Sequence, residues 1–221
     1  MTCRLLVPLA LAALGFCVIP ASGQGKEARA ILSDIAIDLD NDGKMDRAML
    51  VLVNPESTVN RIGGGEAHML GENERVDLYV FLGDGDRAPD LSRKPQFIKK
   101  SIVDTENAQM VLALESKAKG SFTISSCYGC GARKSWEQSL TIVSRRGEFL
   151  VAGFTRNWEW NVHTSDANVE TAMGGCDINF LSGKGVASRD LGEGKPLRTK
   201  FKPIKLALWS ERKLPKACRF Y

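Results

Sequence analysis

The chain alternates short apolar runs with turn-forming residues, and the runs have the length and composition of β-strands. Residues 48–53, Ala-Met-Leu-Val-Leu-Val, form a continuous apolar run of strand length. Residues 76–82, Val-Asp-Leu-Tyr-Val-Phe-Leu, mix alternation with aromatic and β-branched side chains, which fit a pleated surface. Residues 97–103, 109–114 and 122–125 read the same way, and residues 177–181 and 205–209 complete the set. Residues 136–144 and 148–154 flank Arg145-Arg146-Gly147, a short glycine-containing link that predicts a β-hairpin.

Turn signals separate the runs at fairly even intervals, including Gly63-Gly64-Gly65, Gly83-Asp84-Gly85-Asp86, residues 129–131 and Ser182-Gly183-Lys184-Gly185. Helical periodicity is scarce after the N-terminus. The pattern predicts an all-β fold of mainly antiparallel sheets, sandwich-like or partly propeller-like, with few helices. Residues 55–74 and 188–200 are rich in Gly and polar residues and read as loops.

The N-terminus has a different character. Arg4 precedes an apolar run over residues 5–19, followed by Pro20, Ala21, Ser22 and Gly23. Small residues at 21 and 23 predict signal-peptidase cleavage before Gln24, so residues 1–23 read as an export signal. The run is shorter than the roughly 18 to 20 residues of a membrane span. A lipid on Cys17 would want a small residue before it, where Phe16 stands. The expected mature part, residues 24–221, is about 198 residues long and fits a single β-rich domain in a periplasmic or secreted setting.

Losing Arg4 takes the net charge from +4 to +3, with both signs spread along the chain. Nucleic-acid binding, which leaves a strong basic stripe, is not indicated. The segment from Lys195 to the C-terminus is locally basic and reads as a solvated basic arm. Of six cysteines, Cys127, Cys130, Cys176 and Cys218 lie beyond the signal. An even number in an exported chain predicts disulfides, most plausibly Cys127 with Cys130 and Cys176 with Cys218, although sequence allows three pairings. A four-thiolate zinc site is the competing reading, and a lone Cys-x-x-Cys pair fits it poorly.

The strongest chemical motif is Asp38-Leu39-Asp40-Asn41-Asp42-Gly43-Lys44-Met45-Asp46. It places carboxylates at loop positions 1, 3, 5 and 9 and a glycine at position 6. Calcium takes six to eight hard oxygen ligands, and alternate acidic side chains on a tight loop converge on one point. The expected ligands are Asp38, Asp40, Asp42 and Asp46, with the backbone carbonyl of Lys44. Position 12, where an EF-hand carries a bidentate Glu, is Met49, so the loop is not an EF-hand. It resembles the calcium loop of FG-GAP and VCBS-type repeats, an acidic DxDxDGxxD loop leading into a hydrophobic strand, here residues 48–53. The resemblance covers about 20 residues. It implies calcium binding within a β-sheet unit and carries no reaction with it. Stacked repeats build propellers of roughly four to eight blades, but this chain has a single such loop. More weakly, the wider pattern resembles small exported bacterial proteins with one loop of this kind.

Catalytic machinery is sparse. Cys127-Tyr128-Gly129-Cys130 has the spacing of a thiol–disulfide oxidoreductase but leads toward a strand rather than a helix, and no βαβ pattern surrounds it. His68 and His163 each stand alone in polar, loop-like segments, without a hydrolase motif. Glu159 and Asp166 flank Trp158 and Trp160, a grouping compatible with sugar stacking but also with one packed face of a strand. The expectation is a calcium-binding, non-enzymatic envelope or secreted protein with a binding or structural role toward a protein or glycan partner. The alternatives are a periplasmic thiol oxidoreductase using Cys127 and Cys130, and an inhibitor or binder of cell-wall enzymes or glycans.

Overall fold

The apolar runs fall on or beside strands in the computed structural model, which describes residues 27–56, 67–103, 108–130, 132–163, 169–188 and 194–219, with backbone alone at 162–163 and 169–170. The expected export signal, the 63–65 turn and Asp166 lie outside the described residues. All strand pairings are antiparallel, and the strands form two sheets, as the sequence pattern predicts. The described residues contain no α-helix, and no helix among them is long and apolar enough to cross a membrane.

The first sheet has four strands: β1 (Arg29–Ile37), β2 (Asp46–Val53), β4 (Arg75–Phe81) and β5 (Phe97–Lys99), in the order β1-β2-β4-β5. β2 is buried at every position, which is why its sequence is a continuous apolar run instead of an alternating one. Ala48, Leu50 and Leu52 face the main core, while Met49, Val51 and Val53 join Tyr79 and Phe81 in a second cluster on the other face, with Ile31 and Leu91 packed against it.

The second sheet is a long meander of β6 (Met110–Ala118), β7 (Ser121–Tyr128), β8 (Lys134–Arg145), β9 (Glu148–His163), β10 (Val169–Asn179), β11 (Lys184–Ser188) and β12 (Lys195–Pro196). β3 (His68–Met69) extends it beside β6, and β13 (Ile204–Lys205) pairs with the start of β9. The β8–β9 link closes on Arg146 and Gly147, both at positive φ (54° and 75°). That backbone matches the twist of the flanking strands.

One continuous core joins the two sheets: Leu50, Leu78 and Val80 from the first, and Leu114, Phe122, Ile142 and Ile178 from the second. The C-terminal arm is part of it. Three short 3-10 turns (Leu206–Leu208, Glu211–Lys213, Lys216–Cys218) bury Leu206, Trp209, Leu214 and Cys218. The Trp209 ring packs 6.0 Å from Phe154 and 6.1 Å from Phe180. Cys218 is bonded to Cys176 of β10, and Cys127 to Cys130, the two pairs expected from the sequence.

Departures from the expectation have local causes. β1 was not visible as a strand because a bulge between Ile31 and Ser33 interrupts its alternation. β9 runs nine residues past Phe154, and the polar make-up of that stretch, which includes the buried Arg156, hides it in the sequence. His68, expected in a loop, is instead buried on β3 with its Nε2 3.0 Å from Glu74 Oε2. Lys184 and Gly185, expected in a turn, begin β11.

Candidate functional site

The acidic loop spans the gap between β1 and β2. Asn41 and Gly43 adopt positive φ (65° and 88°), so the chain turns tightly enough to bring alternate side chains together. Asp38, Asp40 and Asp42 each offer an oxygen, and these lie within 4.8 Å of one another. Oxygens bound to one calcium at about 2.3–2.6 Å are at most about 5 Å apart, so the spacing fits a shared ion. Short backbone bonds shape the loop further. Gly43 donates its amide to Asp38 Oδ2 at 3.2 Å, Asp42 to Asp40 Oδ1 at 3.1 Å, and Lys44 to Asp42 Oδ1 at 2.8 Å.

Asp38 is the anchor of the group. Its Oδ1 is buried and has no hydrogen-bond partner among the described residues, whereas its Oδ2 lies 2.9 Å from Lys119 Nζ. That lysine sits on the β6–β7 turn of the other sheet, and the next residue, Gly120, donates its amide to the Asp38 carbonyl at 3.0 Å. The hydrogen bond from Lys119 holds the Asp38 carboxyl below its ordinary value, against a smaller raising effect of burial, with the Gly43 and Asn41 amides assisting. The loop is therefore a joint between the two sheets.

Asp46 stands apart from the three. It is 1 % exposed at the start of β2, where its Oδ2 accepts the Leu39 amide and its Oδ1 the Gly83 amide, each at 2.7 Å. It ties the acidic loop to the Gly83-Asp84-Gly85-Asp86 turn. Sequence spacing does not distinguish this role from ligation, because both want an acceptor at that position.

The cysteine pair at 127 and 130 closes the β7–β8 connection. Cys127 is fully buried at the end of β7, Cys130 is exposed, and no helix follows among the described residues. The helix N-terminus that activates thiol–disulfide oxidoreductases is thus missing from the described connection.

Trp158 and Trp160 point to one face of β9, and Glu159 to the other. The Trp158 ring lies flat over Gly174, where a Cβ would meet ring atoms at 2.5 Å, and Lys134 sits 5.1 Å from the Trp160 ring centre. A shallow cleft of about 500 Å³ beside them is lined by Ser135, Trp136, Glu137, Asn157, Trp158 and Glu159 among others. None of its described lining residues is basic.

A buried polar network, unseen in the sequence, fastens the C-terminal arm. Arg156 of β9 is 3 % exposed, pairs with Glu211 Oε2 at 2.6 Å, and donates to Gln138 Oε1 at 3.0 Å. Its guanidinium stacks 4.5 Å from the Trp136 ring centre. Every group in the network is paired, the condition under which a buried charge is tolerated. Comparison with known protein families, with curated proteins and with solved structures gives no match to this chain.

Proposed function

We propose that this is an exported, non-enzymatic β-protein in which calcium at the Asp38–Asp40–Asp42 group stabilises the joint between the two sheets. The observation that carries this reading is the convergence of three carboxylates within 4.8 Å around a buried, unpartnered Asp38 oxygen. Asp38, Asp40 and Asp42 would hold the ion together with the Lys44 carbonyl and water, and Asp46 would fix the loop from beneath. A bound calcium would neutralise the mutual repulsion of the carboxylates. The two disulfides support a setting outside the cytoplasm.

Calorimetric titration of the full chain with calcium and with magnesium tests the reading. One calcium bound per chain, with weaker magnesium binding, supports it, since magnesium demands near-octahedral geometry. Identical melting curves in calcium and in chelator remove it. Export is tested separately by N-terminal sequencing of secreted material, which should begin at Gln24.

A second reading, a binder of neutral glycans, is favoured by the polar cleft on the second sheet. Its carboxylate, amide and hydroxyl groups match sugar hydroxyls, and the lack of a cation disfavours anionic ligands. Glycan-array binding that is lost in Asn157→Ala would support it, and an array without signal would remove it.

A further inference from the structure

A different cavity, of about 730 Å³, lies between the β10–β11 turn and the returning segment at residues 196–203. Two backbone bonds hold that segment to the turn: Leu197 donates to the Gly185 carbonyl at 2.8 Å and Phe201 to the Gly183 carbonyl at 3.2 Å. Between these points residues 198–200 line the space. Phe180, Leu197, Phe201 and Val186 line its apolar part, with Phe180 edge-on to Phe201 at 5.9 Å. Gly185 lets the Phe201 and Leu197 side chains close down on β11 at the base of the cavity. A Cβ there would come within 2.9 Å of Phe201 Cε2 and 3.1 Å of Leu197 Cδ1.

The same cavity carries Lys184, Arg198, Lys200 and Lys202, all exposed, and none of its described lining residues is acidic. None of the four forms an ion pair with a described residue, whereas the neighbouring Lys205 is paired with Glu148. Four like charges around one opening repel each other and create a local positive field. An inorganic anion would relieve that field but leave the apolar lining wet. A neutral apolar molecule would fill the lining but leave the cations uncompensated. An amphiphile with an anionic head satisfies both, and the volume lies within the roughly 300–1,000 Å³ of small-molecule sites.

We infer that this cavity binds the chain of a single, monomeric anionic amphiphile of the fatty-acid type, with its head among Lys184, Arg198, Lys200 and Lys202. The site is independent of the calcium loop, so chelator leaves it unchanged. The test is titration of the full-length protein with myristate below its micelle concentration. Parallel arms use myristyl alcohol, inorganic phosphate, and phosphatidylcholine vesicles with and without phosphatidylglycerol.

Saturable binding of one myristate per chain is expected, with the alcohol about tenfold weaker and phosphate without measurable binding. The exposed pair of substitutions Arg198→Gln and Lys200→Gln should weaken myristate about tenfold while leaving the melting temperature unchanged. Gly185→Leu should abolish uptake by displacing Phe201 and Leu197, which form the apolar lining. If it fails to fold, the charge variant decides alone. No saturable myristate binding overturns the inference, as does equal affinity for the alcohol or an unaffected charge variant. Binding to phosphatidylglycerol vesicles without uptake of monomeric myristate also overturns it, in favour of a membrane-surface contact.

Discussion

Two acidic turns flank Asp46 and differ in what meets their carboxylates. In the first, Asp38, Asp40 and Asp42 converge, with one lysine at 2.9 Å from Asp38 and another at 3.8 Å from Asp42. In the second, Asp84 lies under two guanidinium groups, Arg93 and, at 3.4 Å, Arg87, and Arg93 reaches Asp90 as well. The first turn keeps three converging carboxylates against two lysines, while the second sets two arginines on Asp84. Acidic residues at alternate positions therefore do not define a cation site. What decides is whether cations already supplied by the fold neutralise them. The arginines of the second turn stand three and nine residues beyond Asp84.

The largest effect should come from the residue shared by both turns. Asp46→Ala leaves the buried amide of Leu39 and the part-buried amide of Gly83 without an acceptor. An unsatisfied buried group costs about 1–3 kcal/mol and a part-exposed one less, so the pair should cost about 3 kcal/mol. For a chain of this size that is a fall of roughly 6–12 °C in melting temperature. Measured in chelator, the loss is separated from calcium binding, and Asp46→Asn should recover part of it by keeping one acceptor. An unchanged melting temperature in Asp46→Ala would show that the two turns are not coupled.

Calcium should separate the turns next. With a dissociation constant of about 0.1 mM, common in extracellular sites, 1 mM calcium contributes about 1.4 kcal/mol. The native chain should then melt roughly 3–6 °C higher than in chelator. Asp40→Ala should abolish that increment. Asp84→Ala should lower stability by leaving its arginines uncompensated but keep the increment intact. Loss of the increment in both variants would mean that the difference between the turns has no bearing on the ion.

Much of this architecture was legible in the sequence, for identifiable reasons. β2 and β4 show as apolar runs because both faces of their sheet are covered, and the two-residue link at Arg146 and Gly147 shows because positive φ favours glycine. The gathering of Asp38, Asp40 and Asp42 shows because their spacing is local. What depends on distant partners does not. Arg156 and Gln138 look like solvent positions on a strand, and their burial becomes understandable only when Glu211, from a turn over fifty residues later, is placed against them. Similarly, His68 reads as a loop residue until Glu74 closes back on it, its carboxylate accepting amides of Gly71 and Glu56. The Asp46 role was hidden by its spacing, which suits a ligand equally well.

Lys119 sharpens the comparison from the other side, because its ammonium occupies the Asp38 oxygen in the way Arg93 occupies Asp84, yet comes from an exposed hairpin tip. Removing it should favour calcium. Lys119→Ala should tighten calcium binding by about two- to fivefold, the scale of an exposed ion pair, while slightly lowering stability in chelator. Arg93→Ala should leave calcium affinity unchanged. A weaker calcium affinity in Lys119→Ala would mean that the lysine organises the site and does not compete with the ion.

The smallest expected effect is a shift in titration. The hydrogen bond from Lys119, ahead of the opposing effect of burial, holds the Asp38 carboxyl below its ordinary value. Glu74 is also held below its usual range: burial pushes it up, but the Gly71 amide, His68 and the Glu56 amide together pull it further down. A carboxyl depressed in the folded state contributes stability that is fully present above its unfolded value and is lost as pH falls through the folded one. Both contributions should therefore be fully present and independent of pH near neutrality, and should fade only as pH falls below the ordinary carboxyl values of about 4. Carboxyl-carbon NMR can follow the two groups separately. In Lys119→Ala the Asp38 titration should move upward while that of Glu74 stays in place, because Glu74 draws its depression from Gly71, His68 and Glu56 and not from Lys119. In the native chain, calcium should move Asp38 further down, since protonation and the ion compete for the same oxygens. Should calcium leave the Asp38 titration unchanged while the protein still binds the ion, the ion sits elsewhere and the first turn is no more a cation site than the second.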